Sequence, residues 1–112
     1  MGNLKTPWEL FGIECGEGWI PLIEPVLKYI QEYNKGKEEE QQIIVYQIKE
    51  KFGALRIEVG NYPEELRNMV EAAENASVTI CEKCGAPGSL RDCGGGWYHT
   101  LCDECLEKRH KI

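Results

Sequence analysis

Four of the six cysteines in this 112-residue chain fall into two pairs, Cys81-x-x-Cys84 and Cys102-x-x-Cys105, with 17 residues between the pairs. That spacing lies inside the C-x₂-C-x₁₅₋₂₀-C-x₂-C pattern of a zinc site. A CxxC turn presents two sulfurs on one side of a tight loop. Two such loops can close a tetrahedron with zinc–sulfur bonds of about 2.3 Å. Gly85, directly after Cys84, permits the left-handed turn that aims backbone N–H groups at the thiolates. A closed four-sulfur site has no open coordination position, so the expected role of the metal is structural and the expected cofactor is one zinc ion.

The remaining candidates are weaker. Cys93 could replace one ligand; otherwise Cys15 and Cys93 read as a packed thiol and a loop thiol. His99 lies three residues before Cys102 and could act as a stand-in ligand or a base, with a locally bonded strand histidine as the plainer reading. His110 sits among Lys108, Arg109 and Lys111, as expected of a charged helix end. A disulfide framework is disfavoured. The opening MGNLKTPWEL lacks the basic-then-apolar layout of a signal peptide, so no secretory leader is expected, and the first 75 residues contain only Cys15.

The elements that must carry this site read as follows. Residues 19–33 (WIPLIEPVLKYIQEY) place Trp19, Leu22, Ile23, Val26, Leu27 and Ile30 on one helical face. Pro21 suits a first turn. Pro25 removes a helical hydrogen bond, so the regular helix is expected to start near Glu24. Asn34 and Gly36 form the stop, and KGKEEEQQ follows as a solvated connector. Residues 43–59 predict a hairpin, with Ile44, Tyr46 and Ile48 on one face of the first strand. Lys51-Phe52-Gly53 forms its turn, with Phe52 buried. Residues 63–76 predict a second helix, opened by Pro63 and facing inward through Leu66, Met69, Val70 and Ala73. Ahead of all this, Trp8, Leu10, Phe11 and Ile13 are expected to pack as an anchoring flap, and Pro7, Gly12, Gly16 and Gly18 interrupt periodicity there.

The expected fold class is α+β: two helices packed on a small antiparallel β-hairpin, followed by a four-cysteine zinc finger. The boundaries are residues 1–76 for the α+β domain and 77–112 for a zinc-binding segment packed on it. Within that segment CEKCG is a knuckle, GSLRD and GWYHT are two short strands, and a helix begins at the second cysteine pair. Knuckle, hairpin and helix in that order look like a treble clef; a zinc ribbon is the alternative.

Composition narrows the function classes. The net charge is −6, all of it in residues 1–76, while residues 77–112 balance to zero. Binding to a phosphate backbone rests on clustered Lys and Arg, which this chain lacks as a whole. An acidic face fits a basic protein partner, or serves solubility alone. No apolar run approaches the ~20 residues of a membrane span. The opening MGNLKT matches the short M-G-x-x-x-[ST] myristoylation pattern, which occurs often by chance.

Taken together, GWIPLIEPVLKYI, QIKEKFGALRIEV, ICEKCGAPGSLR and WYHTLCDEC resemble a group of small, uncharacterised phage, prophage and bacterial proteins. These share a GW-x-x-LI start, a QxKEKFGxLR hairpin and a CExCGxPG…TLCxxC segment. The resemblance covers roughly residues 8–105. It implies a bacterial or viral origin and a cytoplasmic location, and implies no reaction. The leading functional expectation is a non-enzymatic, zinc-stabilised protein-interaction module, such as a phage-encoded modulator or inhibitor of a host protein. Its candidate surface is Lys49, Lys51, Arg56, Trp97 and Tyr98. One alternative is a nucleic-acid-binding zinc finger using Arg91, Lys108, Arg109 and Lys111, with Trp97 and Tyr98 stacking on bases. A second is a treble-clef nuclease using His99.

Overall fold

The computed structural model describes residues 13–110. Trp8, Leu10 and Phe11 of the expected flap, the MGNLKT pattern and Lys111 lie outside the described residues; Ile13 is inside and buried. The order is a 3₁₀ turn (Glu17–Trp19), α1 (Ile20–Asn34), a 3₁₀ turn (Glu39–Gln41), β1 (Ile44–Lys51), β2 (Ala54–Gly60), α2 (Glu64–Ser77), β3 (Ser89–Asp92), β4 (Tyr98–Leu101) and α3 (Asp103–His110). The fold is α+β, with two separate two-stranded antiparallel sheets, β1–β2 and β3–β4.

α1 is amphipathic as its spacing predicts, burying Ile23, Val26, Leu27 and Ile30. It begins at Ile20 rather than near Glu24, and Pro25 sits inside it. A proline in a helix interior costs about 3 kcal/mol. Here Pro25 is exposed while Trp19 and Ile23 on the inner face are fully enclosed. Burial of those two side chains outweighs the one lost bond. Asn34 ends the helix and also fixes the next strand. Its side-chain oxygen accepts from Ile43 N at 2.8 Å, and its amide donates to Ile43 O at 3.1 Å.

The first strand departs from simple alternation. Val45 pairs with Val59 but Gln47 pairs with Glu58, so the register shifts across Tyr46. An inserted residue turns the side chains that precede it to the other face. Ile43 and Val45 therefore pack inward with Ile48, and Ile44 and Tyr46 are exposed, contrary to the period-two expectation.

α2 packs against both α1 and β2. Leu66, Val70, Ala73 and Ser77 are its buried positions, with Met69 half-buried beside them. Its polar side chains cap the outer edge of β2. Ser77 Oγ accepts from Leu55 N at 3.0 Å and donates to Glu74 O, and Glu74 Oε2 accepts from Ile57 N at 2.9 Å. An open sheet edge thus has two of its donors satisfied without a third strand. None of the helices among the described residues is long and apolar enough to cross a membrane.

Candidate metal centre

The four paired cysteines converge. The Sγ atoms of Cys81, Cys84, Cys102 and Cys105 all lie within 4.8 Å of one another. Cys84 and Cys102 sulfurs are 3.6 Å apart, and all six cysteines are free thiols. A tetrahedral metal with ~2.3 Å sulfur bonds requires sulfurs about 3.8 Å apart. The donor set, its number and its spacing therefore fit a metal ion held by four thiolates.

Local sequence explains each ligand's position. Cys81 N donates to Ala86 O at 2.8 Å and Gly85 N donates to Cys81 O at 2.9 Å, closing the knuckle. Gly85 has φ +84, where a β-carbon is unfavourable. The second pair straddles the start of α3. Cys102 precedes the helix and Cys105 lies in its first turn, where Cys105 N donates to Cys102 Sγ at 3.4 Å. A helix N-terminus favours negative charge, so this placement stabilises thiolates.

Three of the clustered thiols are displaced from their ordinary range. Burial pushes the Cys81 thiol up, but N–H groups of Cys102, Cys84 and Lys83 and the Cys84 thiol outweigh it, and the net result is lowered to about 6. The Cys102 side chain, burial and the other two cysteines push Cys105 up to about 12. Cys84 is also raised: an N–H from Ala86 favours its thiolate, and the neighbouring Cys102 and Cys81 sulfurs outweigh that help. Without a cation, negative charge concentrates on one sulfur and holds protons on its neighbours. A divalent cation removes that conflict.

The knuckle rests on the rest of the protein through small residues. Gly18 N donates to Glu82 O at 2.8 Å, and a β-carbon on Gly18 would overlap Cys81 O and come within 2.6 Å of Gly85 N. A β-carbon on Gly16 would likewise overlap Glu82 O. Trp19, fully buried, donates its indole N–H to Ile80 O at 2.8 Å, one residue before the first ligand. On the other side Thr100 Oγ1 donates to Gly53 O at 2.7 Å, tying β4 to the β1–β2 turn.

Comparison with protein families, with curated proteins and with solved structures gave no match.

The other sequence candidates take different places. Cys93 lies in the β3–β4 loop, its sulfur 3.9 Å from Arg91 O, and is not one of the four converging thiols. His99 Nδ1 lies 2.8 Å from Glu82 Oε1 in a largely enclosed pair, so its ring faces the knuckle's own carboxylate. Cys15 is half-buried, and burial with the nearby Glu82 and Glu50 carboxylates pushes its thiol up to about 12, as suits a packed, inert thiol. Arg91 is engaged: Nη2 contacts Asp103 Oδ1 at 2.6 Å and Nε donates to Leu101 O. Lys108 pairs with Glu104 at 3.4 Å. Glu82, Gly16 and Gly18 were not legible as parts of the site. A G-x-G immediately before a buried Trp was the available signal, and its meaning depends on which backbone arrives there.

The candidate surface residues lie around the β1–β2 turn and the adjoining β3–β4 hairpin, which Thr100 ties to Gly53. Phe52 and Gly53 make a two-residue turn with φ +52 and +84. Phe52 is 68% exposed, which corrects its expected burial. At φ +52 its side chain projects off the end of the hairpin, beyond the reach of the core. Trp97 is also 68% exposed, and Tyr98 and Leu90 are exposed with it.

Proposed function

We propose that this protein is a non-enzymatic protein-interaction module whose C-terminal segment is stapled by one structural zinc ion. The observation that carries the reading is the convergence of four thiols, and only thiols, within 4.8 Å. Such a donor set suits zinc and leaves no coordination position for substrate. The knuckle, hairpin and helix that present these thiols support a treble-clef arrangement. A segment of this size buries little apolar surface alone, and metal binding supplies folding free energy to it. The His99 ring is engaged by Glu82 rather than open to a scissile bond, which favours a binding role over the nuclease alternative. The exposed aromatic residues of the β1–β2 turn and the β3–β4 hairpin supply a contact surface of the kind partners use as anchors. A cytoplasmic location, where thiols stay reduced, and a phage or bacterial origin belong to the same proposal.

Two measurements test it. Native mass spectrometry is expected to find one zinc per chain, lost on chelation together with the structure of residues 78–110. A photo-crosslinking residue placed at Trp97 in cells is expected to trap a protein, and the same group at Gln31 on α1 is not. Nucleic-acid adducts at Trp97, or none at all, would instead direct attention to the nucleic-acid alternative or to a different surface.

A further inference from the structure

Three features at the turn end of the β1–β2 hairpin each carry a local cost. Phe52 adopts a left-handed backbone at φ +52, which is unfavourable for a bulky L-residue. Its ring recovers nothing by burial, being 68% exposed. Lys49 stands directly opposite Arg56 in the ladder, and like charges facing each other across strands are destabilising. Lys51 follows two residues after Lys49 on the same solvent face. None of these three cations makes an ion pair among the described residues; Lys51 Nζ only lies 5.9 Å from the centre of the Phe52 ring.

These costs lie beside a cleft. It encloses about 390 Å³ between the hairpin turn and the β3–β4 loop, and is lined by Glu50, Lys51, Phe52, Trp97, Tyr98 and the backbone of Gly95 and Gly96. Its wall is fixed from both sides. Glu50 Oε2 accepts from Gly53 N at 2.6 Å, and Thr100 holds Gly53 O. The volume suits one large apolar side chain. Locally unfavourable choices concentrated at one place, around a preformed apolar cleft, are the pattern of a site whose compensation comes from a partner.

We infer that this cleft docks a short acidic peptide segment of a partner protein, with one bulky apolar side chain seated among Phe52, Trp97 and Tyr98, and its carboxylates running from Lys51 in the cleft wall to Lys49 and Arg56 on the adjoining strand face. This names the partner chemistry of the interaction module proposed above and rests on that reading. Charge decides between occupants. A short peptide places its few carboxylates on Lys51 in the cleft wall and on Lys49 and Arg56 of the adjoining strand face. A single-stranded nucleic acid could stack a base here, but a longer polyanion extends beyond these cations and meets the whole field of a chain with net charge −6.

The test uses the full zinc-loaded chain and a fluorescein-labelled peptide with one central tryptophan flanked by aspartates and glutamates. Anisotropy is expected to show saturable binding, weakened about tenfold or more by F52N, by W97A and by K51E. All three positions are exposed, and unchanged zinc content and circular dichroism check that each variant folds. Loss of affinity is also expected when the peptide's tryptophan becomes alanine or its acids become lysines. No saturable binding overturns the inference, as does binding indifferent to F52N and W97A. Equal or tighter binding of the lysine peptide, or of labelled oligo(dT), overturns it too. A protein crosslinked at Trp97 alongside a failed peptide titration would remove the acidic-peptide occupant while leaving the module; absence of both would remove both.

Discussion

The cysteine knuckle and the β1–β2 turn are built by opposite rules. Around the knuckle, every local choice agrees with the fold. Gly16 and Gly18 clear space for the Glu82 and Cys81 backbone, Trp19 is enclosed with its N–H satisfied, and Gly85 takes the left-handed position. At the turn end, local choices oppose the fold. An aromatic residue occupies the left-handed position where Asn, Asp or Gly is favoured, and a second indole is left in water. Trp19 and Trp97 state the contrast with one residue type: relative exposure 0% against 68%. The first region is organised for stability and the second for contact with something else.

That comparison can be broken in several ways. The largest effect belongs to the metal. Chelation, or Cys81→Ser, is expected to unfold residues 78–110, since structural zinc contributes roughly 10 kcal/mol or more to such segments at neutral pH. Hydrogen exchange should show protection lost there, with α1, α2 and the core face of β1–β2 affected less.

The affinity for that metal should be steeply pH-dependent, with a definite sign. Cys84 is raised above its ordinary value and Cys105 lies at about 12, so both hold protons at neutral pH without a cation and release them on binding. Binding therefore strengthens as pH rises and weakens as it falls. Each released proton corresponds to about a tenfold change in affinity per pH unit, so these two alone give about a hundredfold around neutrality. Titration in buffers of different ionisation enthalpy would count the protons; no release would contradict the raised thiols at Cys84 and Cys105.

The indoles give the next test. Trp19→Ala is expected to cost about 3–5 kcal/mol, losing core volume and the bond to Ile80 O. Trp97→Ala should stay within about 0.5 kcal/mol of the parent. Chemical denaturation of the two variants reads the difference directly, and similar costs would abolish the contrast. Gly18→Ala should destabilise by about 1–3 kcal/mol, because a methyl there must displace backbone at the knuckle rather than a flexible side chain.

The smallest effect has the opposite sign. Phe52→Asn is expected to stabilise by about 1 kcal/mol, since Asn accepts the left-handed region more readily and no buried ring is lost. A thermal melt shifted upward would mark Phe52 as kept at the expense of stability; a downward shift would mean that the ring contributes to the fold after all.

Much of the centre was legible because its information is local. Two CxxC pairs, a glycine after the first and a polar helix start after the second are readable from spacing alone, and the four sulfurs do converge. The inward faces of α1 and α2 were readable for the same reason, since 3.6-residue periodicity is a property of one segment. The strand was misread at Ile44 and Tyr46 because a bulge depends on which partner residue pairs across the ladder. The start of α1 was misplaced because proline's cost is local while the burial that outweighs it comes from the shared core, α2 included.

The sequence by itself determined the donor set, the secondary-structure segments and the concentration of negative charge in residues 1–76. Only the tertiary structure decided that Gly16 and Gly18 form the seat of the knuckle and that Glu82 meets His99. It also decided that Phe52 and Trp97, far apart in the chain, share one cleft. Spacing rules report what a backbone brings together within a few residues. Contacts across the fold depend on where β3 and β4 are anchored, and the anchors, Thr100 on Gly53 O and Trp19 on Ile80 O, pair a side chain with a main-chain carbonyl that any residue could have supplied.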